Sequence, residues 1–217
     1  MSPFVNIHTH ALTGCGIELV NANDWTAAPQ GFCSAGIHPW HIDGNTAQNL
    51  DILDNWCQKG LLAAIGEAGI DRAIGTEISR QREVFAAQAA IAKRYRLPMI
   101  IHCVKAYSDF LEIMQHEPSV RMIFHGFNGN VTAAKHLLRH GALLSFGSNL
   151  LTNCKLQETF RTIPNDCIFL ETDTKNIGIG DIYNFAADLK SISLDELKQI
   201  IFNNLTQVFG NKWETIG

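Results

Sequence analysis

Short apolar runs, each followed by a stretch of helical periodicity or a turn, recur along the whole chain and limit it to an alternating β/α architecture. Seven such runs stand out: Phe4 to Ile7, Phe32 to Ile37, Leu62 to Ile65, Pro98 to Ile101, Arg121 to Phe124, Ala142 to Ser145 and Ile168 to Leu170. Uninterrupted apolar runs of this length are what strands need when both faces of a parallel sheet are covered. Between them, Arg80 to Tyr95 sets Val84, Phe85, Gln88, Ile91, Ala92 and Tyr95 along one side, and Pro98 ends the pattern. Thr132 to His140 repeats the device, with Asn130 as cap, Ala134, Leu137 and Leu138 inward and Gly141 as stop. Ser193 and Glu196 form a capping box ahead of an apolar face made by Leu197, Ile200, Ile201, Leu205 and Val208. With Ile17 to Val20 as an eighth strand, the pattern predicts a complete or trimmed TIM (β/α)8 barrel rather than an open doubly wound sheet. No linker or repeat divides residues 1–217, so one domain is expected.

Composition narrows the function classes. Hydrophobic residues make up 46% and charged residues 18%, a globular balance. A formal net charge of -4 provides no general basic field for a polyanion, so nucleic acid would need a local positive source such as bound metal. The six cysteines include no CxxC pair, which suits reduced thiols in a cytoplasm. The opening MSPFVNIHTH has no basic segment or long apolar run, and no stretch reaches the roughly 18 apolar residues of a membrane span, so a cytoplasmic protein without a membrane is expected.

Six potential metal ligands fall at predicted strand ends. His8 and His10 lie two apart on the first strand and so point the same way. Glu67, His102, His125 and Asp173 each follow a later apolar run. Parallel barrel strands deliver their C-terminal ends to one rim, where barrel enzymes build their sites. Any one histidine there is more often a hydrogen-bonded structural residue, and either carboxylate could cap a helix. Their joint placement favours a metal centre, with four imidazoles and two carboxylates suited to Zn, Mn, Fe or Ni and Mg less natural among so many histidines. His116, His136 and His140 read as surface residues, His41 as ambiguous, and Trp25, Trp40 and Trp56 chiefly as packing.

These motifs resemble those of the TatD-like metal-dependent hydrolases, a branch of the amidohydrolase superfamily. The resemblance rests on His8-Thr9-His10, Gly36-Ile37-His38-Pro39, Gly66-Glu67-Ala68-Gly69-Ile70-Asp71, Ile101-His102, Phe124-His125-Gly126-Phe127 with Gly129, and Glu171-Thr172-Asp173. It implies a TIM barrel holding two divalent metal ions (Zn, Mn, Mg or Ni). His8, His10, Glu67 and Asp173 would hold one ion and Glu67, His102 and His125 the other, with Glu67 bridging. It further implies phosphodiester hydrolysis, with DNA or a small phosphodiester as substrate and a metal-activated water as nucleophile. Asp173, or else Glu67, would accept the proton. His38 reads equally as a substrate or supporting contact and as a residue set by its neighbour Pro39. The family often has Arg two positions after the fourth-strand histidine. Here Val104 stands there and Lys105 is the compensating substrate contact, a point charge without the bidentate fork of Arg. The loop Thr174-Lys175-Asn176-Ile177-Gly178-Ile179-Gly180 also departs from the family's pattern, and residues 11–35 are too few for two helical crossovers. The alternative activity is hydrolysis of an amide, lactone or carboxylic ester by the same centre; a barrel that only binds a partner would not need all six ligands.

Overall fold

In the computed structural model, residues 2–116 and 119–215 are described; Met1, Glu117, Pro118, Ile216 and Gly217 of the single domain expected over 1–217 lie outside them. Eight strands form: β1 (Val5–Thr9), β2 (Ile17–Asn21), β3 (Cys33–Ala35), β4 (Ala64–Asp71), β5 (Met99–Val104), β6 (Met122–Phe124), β7 (Leu143–Phe146) and β8 (Ile168–Leu170). Neighbours in the sheet follow chain order from β1 to β8 and every pair is parallel. All residues of β1, β3, β4, β6, β7 and β8 are buried, as a sheet covered on both faces requires. This is the TIM barrel that the alternating pattern predicts, with Ile17–Asn21 as its eighth strand.

Helices cover the later crossovers: α1 (Thr46–Gln58), α2 (Ile78–Tyr95), α3 (Tyr107–His116), α4 (Val131–Arg139), and α5 (Asn149–Thr152) with α6 (Cys154–Thr162). After β8 come α7 (Ile179–Lys190), α8 (Leu194–Phe209) and the short α9 (Lys212–Thr215). The predicted caps form: Asn130 accepts from the Ala133 N–H at 3.0 Å, and Ser193 from the Glu196 N–H at 3.2 Å. Among the described residues no helix is long and apolar enough to cross a membrane.

The first two crossovers, residues 10–16 and 22–32, carry no helix. A parallel return usually needs a dozen or more residues. Two features make the shorter return from β1 to β2 possible. Gly16 has φ +97°, and a Cβ there would lie 2.3 Å from the Phe4 carbonyl oxygen, so only glycine fits. The buried Glu18 carboxylate then accepts from the N–H groups of Thr13 (3.0 Å) and Gly14 (2.8 Å) and from the Thr13 hydroxyl (2.7 Å), which fixes the loop carrying His10.

Closure of the barrel occurs at its catalytic rim. The Asp173 N–H donates to the His8 carbonyl at 3.0 Å and the His10 N–H to the Asp173 carbonyl at 3.4 Å. Below them, the Asn6 side chain accepts from the Thr172 N–H at 3.0 Å and donates to the Thr172 hydroxyl at 2.8 Å. The sheet edge is thus satisfied by the segment that delivers Asp173. On the opposite wall, Gly69 pairs with His102, and a Cβ on it would lie 1.8 Å from the His102 carbonyl oxygen. The absence of a side chain at Gly69 lets β4 and β5 approach closely.

Replacing Glu18 by Ala strands the two loop N–H groups and is expected to cost about 1–3 kcal/mol of stability. Urea unfolding of the two proteins would measure this, and an unchanged midpoint would show that the loop is held by other means.

Candidate metal centre

The strands run further than their apolar signals. Glu67 lies inside β4, His8 inside β1 and His102 inside β5, whereas His125 directly follows β6 and Asp173 stands three residues past β8. Polar residues end the apolar runs before hydrogen bonding ends the strands, because at the barrel mouth the side chains face a cavity instead of a core. The expectation that every candidate sits at a strand end is corrected for Glu67 and His102, which lie well inside β4 and β5, and the placing of both His8 and His10 on the first strand is corrected for His10, which stands one residue past β1.

All six predicted ligands meet around Glu67. Its Oε2 lies 3.5 Å from His8 Nε2 and 3.7 Å from His10 Nε2; Asp173 Oδ1 lies 3.6 and 3.4 Å from the same two nitrogens. Its Oε1 lies 2.7 Å from His125 Nε2, 2.8 Å from His102 Nδ1 and 3.3 Å from His38 Nε2. The two oxygens of one carboxylate therefore face two separate groups of donors. His8, His10 and Glu67, and likewise His8, His125 and Asp173, bring ligand atoms within 4.8 Å of one another, as a shared cation would require.

Carboxylates stand on both sides of two of the rings. Glu171 is fully buried; its Oε1 accepts from the Gly126 N–H at 2.7 Å and faces His125 Nδ1 at 3.3 Å, while Glu67 Oε1 lies 2.7 Å from Nε2 of the same ring. His102 is placed likewise, with Asp71 Oδ2 3.3 Å from Nε2 and Glu67 Oε1 2.8 Å from Nδ1. A carboxylate only accepts and a neutral imidazole donates once, so each ring leaves one of these contacts to be completed by a second proton or by a cation. His8 gives a second sign: it is fully buried and neither ring nitrogen has a hydrogen-bond partner, a costly state for a polar group that a cation at Nε2 relieves. The residues fit divalent metal.

His38 differs. Its Nδ1 accepts the Trp40 backbone N–H at 3.1 Å, so the proton of the neutral ring sits on Nε2 and points at Glu67. Although His38, Glu67 and His102 cluster closely enough for an ion, His38 stands there as a donor.

The electrostatics agree with a site short of positive charge. The bond to Asp173, then that to Glu67, raises His10 to about 9. Burial disfavours a charged His125, yet the Glu171 and Glu67 carboxylates raise it well above its usual value. Burial likewise opposes ionisation of Glu67, but the histidines at its two oxygens hold it far below the usual carboxylate range. Burial keeps His38 below its ordinary value and hence neutral. His10 and His125 are thus drawn toward their charged forms, and a divalent cation would supply the same compensation.

A cavity of about 340 Å³ exposes the centre, lined by His10, His38, Glu67, His102, His125 and Asp173, with Asn23, Trp40 and His41 at its side. Lys105 is exposed beyond β5 and is not among the lining residues. The remaining aromatics divide: Trp25 stacks on Trp56 with centroids 5.4 Å apart, whereas Trp40 joins the site through its indole N–H, 2.7 Å from Asp71 Oδ2. Of the other histidines, His116 and His136 are exposed and His140 half-buried.

The sequence reading quoted Asp71 and Glu171 within motifs but gave them no role. In the structure they hold His102 and His125 from behind. The signal available was a carboxylate two or four residues from a ligand on the same strand or its extension, the spacing that points both side chains the same way.

Comparison with known proteins agrees with this architecture. The family model described as TatD related DNase matches residues 16–210. Deoxyribonuclease TATDN3 of Homo sapiens is 27% identical over 194 residues, covering 80% of this chain and 70% of that protein. The metal-dependent hydrolase YabD of Bacillus subtilis is 28% identical over 196 residues, 82% of this chain and 77% of its own. Among solved structures, the TatD homologue YjjV of Escherichia coli superposes with a TM-score of 0.82 at 19% identity, covering 95% of this chain and 97% of that one.

Replacing Glu171 by Gln, which keeps the shape but removes the charge behind His125, is expected to weaken metal binding about 10–100-fold. Competition against a chromogenic chelator reads the change, and unaltered affinity would mean that Glu171 only fills space.

Proposed function

Because the chain belongs to the TatD-related DNase family of metal-dependent hydrolases, we propose that it cleaves phosphodiester bonds, in DNA or a small phosphodiester, with two divalent cations. In this reading His8, His10, Glu67 and Asp173 hold one cation, and Glu67, His102 and His125 hold the other. The observation that carries it is the division of labour at Glu67, whose Oε2 faces one set of donors and whose Oε1 faces the second. We further read residues 1–217 as a single hydrolase domain, and the six free cysteines support a reducing compartment such as the cytoplasm.

Cations at this centre would supply Lewis acidity, lowering the pKa of a water towards about 7 and offsetting charge on the phosphoryl oxygens. Zn, Mn or Ni suits the nitrogen-rich donor set better than Mg. Asp173 is the base: its carboxylate lies at the open side of the cavity and accepts the proton of the attacking water. The same aspartate is fixed by its backbone bonds to His8 and His10, which hold it in a left-handed conformation with φ 54°. His38 offers its Nε2–H to a nonbridging phosphoryl oxygen in place of Glu67, and its neutrality keeps the proton available as a hydrogen bond. Lys105 is given no contact, since it does not line the cavity.

One observation favours a second reading. Among the described residues no Lys or Arg lines the cavity, so no permanently cationic side chain is there to receive a phosphodiester's charge, and an amide, lactone or carboxylic ester would not require one.

Assay of the Mn- or Zn-supplemented protein on bis(p-nitrophenyl) phosphate beside aryl lactones and esters separates the two. Turnover of the phosphodiester, abolished by chelator, is expected; turnover of the carbon esters alone would replace the proposal. Asp173→Ala is expected to lower kcat about 10²–10⁴-fold and His102→Ala to abolish metal-dependent turnover, both with unchanged circular dichroism. Full activity in either would remove that residue from the centre.

A further inference from the structure

The metal cavity continues past Trp40. A second hollow of about 580 Å³ shares Asn23, Trp40 and His41 with it and runs over the helix-free crossover after β2 toward α1, where Trp25, Asn45, Gln48 and Asn49 line it. Its size falls in the range of small-molecule sites.

Three properties of this groove point to one class of ligand. First, Trp40 is 64% exposed, an unusual state for so large an apolar ring. Its indole N–H is bound to Asp71 Oδ2, the atom that also faces His102, so the ring is tethered by its polar edge beside the His38 and His102 rings while most of its surface stays exposed. A rigid aromatic face is a stacking platform whose ordering cost is already met by the fold. Second, the walls are rich in Asn and Gln side chains, each able to donate and accept at once, as the edges of nucleobases require. Third, among the described residues no Lys or Arg lines the groove; its one imidazole, His41, stands at the end shared with the metal cavity, and its one carboxylate, Asp43, opposes a further phosphate.

We propose that the groove is a nucleoside subsite: it takes the sugar and base attached to the scissile phosphate, stacks the base on Trp40, and reads the base edge with the amides of Asn45, Gln48 and Asn49. The end of the substrate lying here carries no additional phosphate. This rests on the phosphodiester reading above and names the part of the substrate that the metal centre cannot distinguish.

The test has two arms. Thymidine is titrated by calorimetry into the metal-supplemented protein and into Trp40→Ala, Trp40→Phe and Gln48→Trp. In parallel, kcat/KM on thymidine 5′-(p-nitrophenyl phosphate) is divided by kcat/KM on methyl p-nitrophenyl phosphate for each protein. Loss of one aromatic–base stack is expected to weaken thymidine about tenfold in Trp40→Ala and to lower the ratio by a similar factor, while Trp40→Phe retains most of both. Gln48→Trp fills the hollow from α1, away from Asp71, and gives the same loss without touching the tether. Equal thymidine affinity and an equal ratio in the parent, Trp40→Ala and Gln48→Trp overturn the subsite. Thymidine binding that depends on Trp40, with neither ester hydrolysed, leaves the subsite standing and overturns the phosphodiester reading.

Discussion

A single buried carboxylate, that of Glu67, organises the molecule's chemistry. Burial makes its charge costly, and the groups around it answer that cost on both sides, with His8 and His10 at one oxygen and His38, His102 and His125 at the other. Neutral imidazoles cannot do this fully, because each donates only once and His102 and His125 each face a second carboxylate, Asp71 and Glu171, behind the ring. The arrangement is therefore incomplete without added positive charge. Divalent cations complete it, and the same cations are what hydrolysis needs.

The scaffold is adjusted to keep that constellation in register. Asp173 closes the barrel through its backbone and reaches the site through its side chain, so the position of the proposed base and the integrity of the sheet depend on the same few hydrogen bonds. Gly69 lets β4 approach β5 at the level of His102. Where the first two helices of a full barrel would stand, Glu18 anchors one loop, and the other leaves space beside Trp40. Shortening the fold on this side both economises on chain and opens the groove next to the candidate metal centre.

Much of this could be read in the residues themselves. The apolar runs located all eight strands, including the one at Ile17, and the two-residue spacing of His8 and His10 foretold their convergence although β1 ends at Thr9 and His10 stands one residue past it. The limits of the strands could not be read, because hydrophobicity reports burial in a core and stops where the side chains turn toward the cavity, as at Gly66 and Glu67. The supporting carboxylates were hidden for a related reason: Asp71 and Glu171 look like ordinary acids until the rings they hold are placed beside them. His38 remained open between roles because its tautomer is decided by the Trp40 backbone N–H, a contact made by the turn rather than by composition. Lys105, chosen for its charge and position in the motif, leaves the cavity because charge alone does not say where a loop will aim.

The most direct measurement is diffraction from crystals grown with Mn or Zn, with anomalous data collected on both sides of the metal edge. The account predicts two peaks flanking Glu67, one among His8, His10 and Asp173 and one beside His102 and His125. Anomalous density absent from both sides of that carboxylate, or held by groups elsewhere on the barrel, would contradict it.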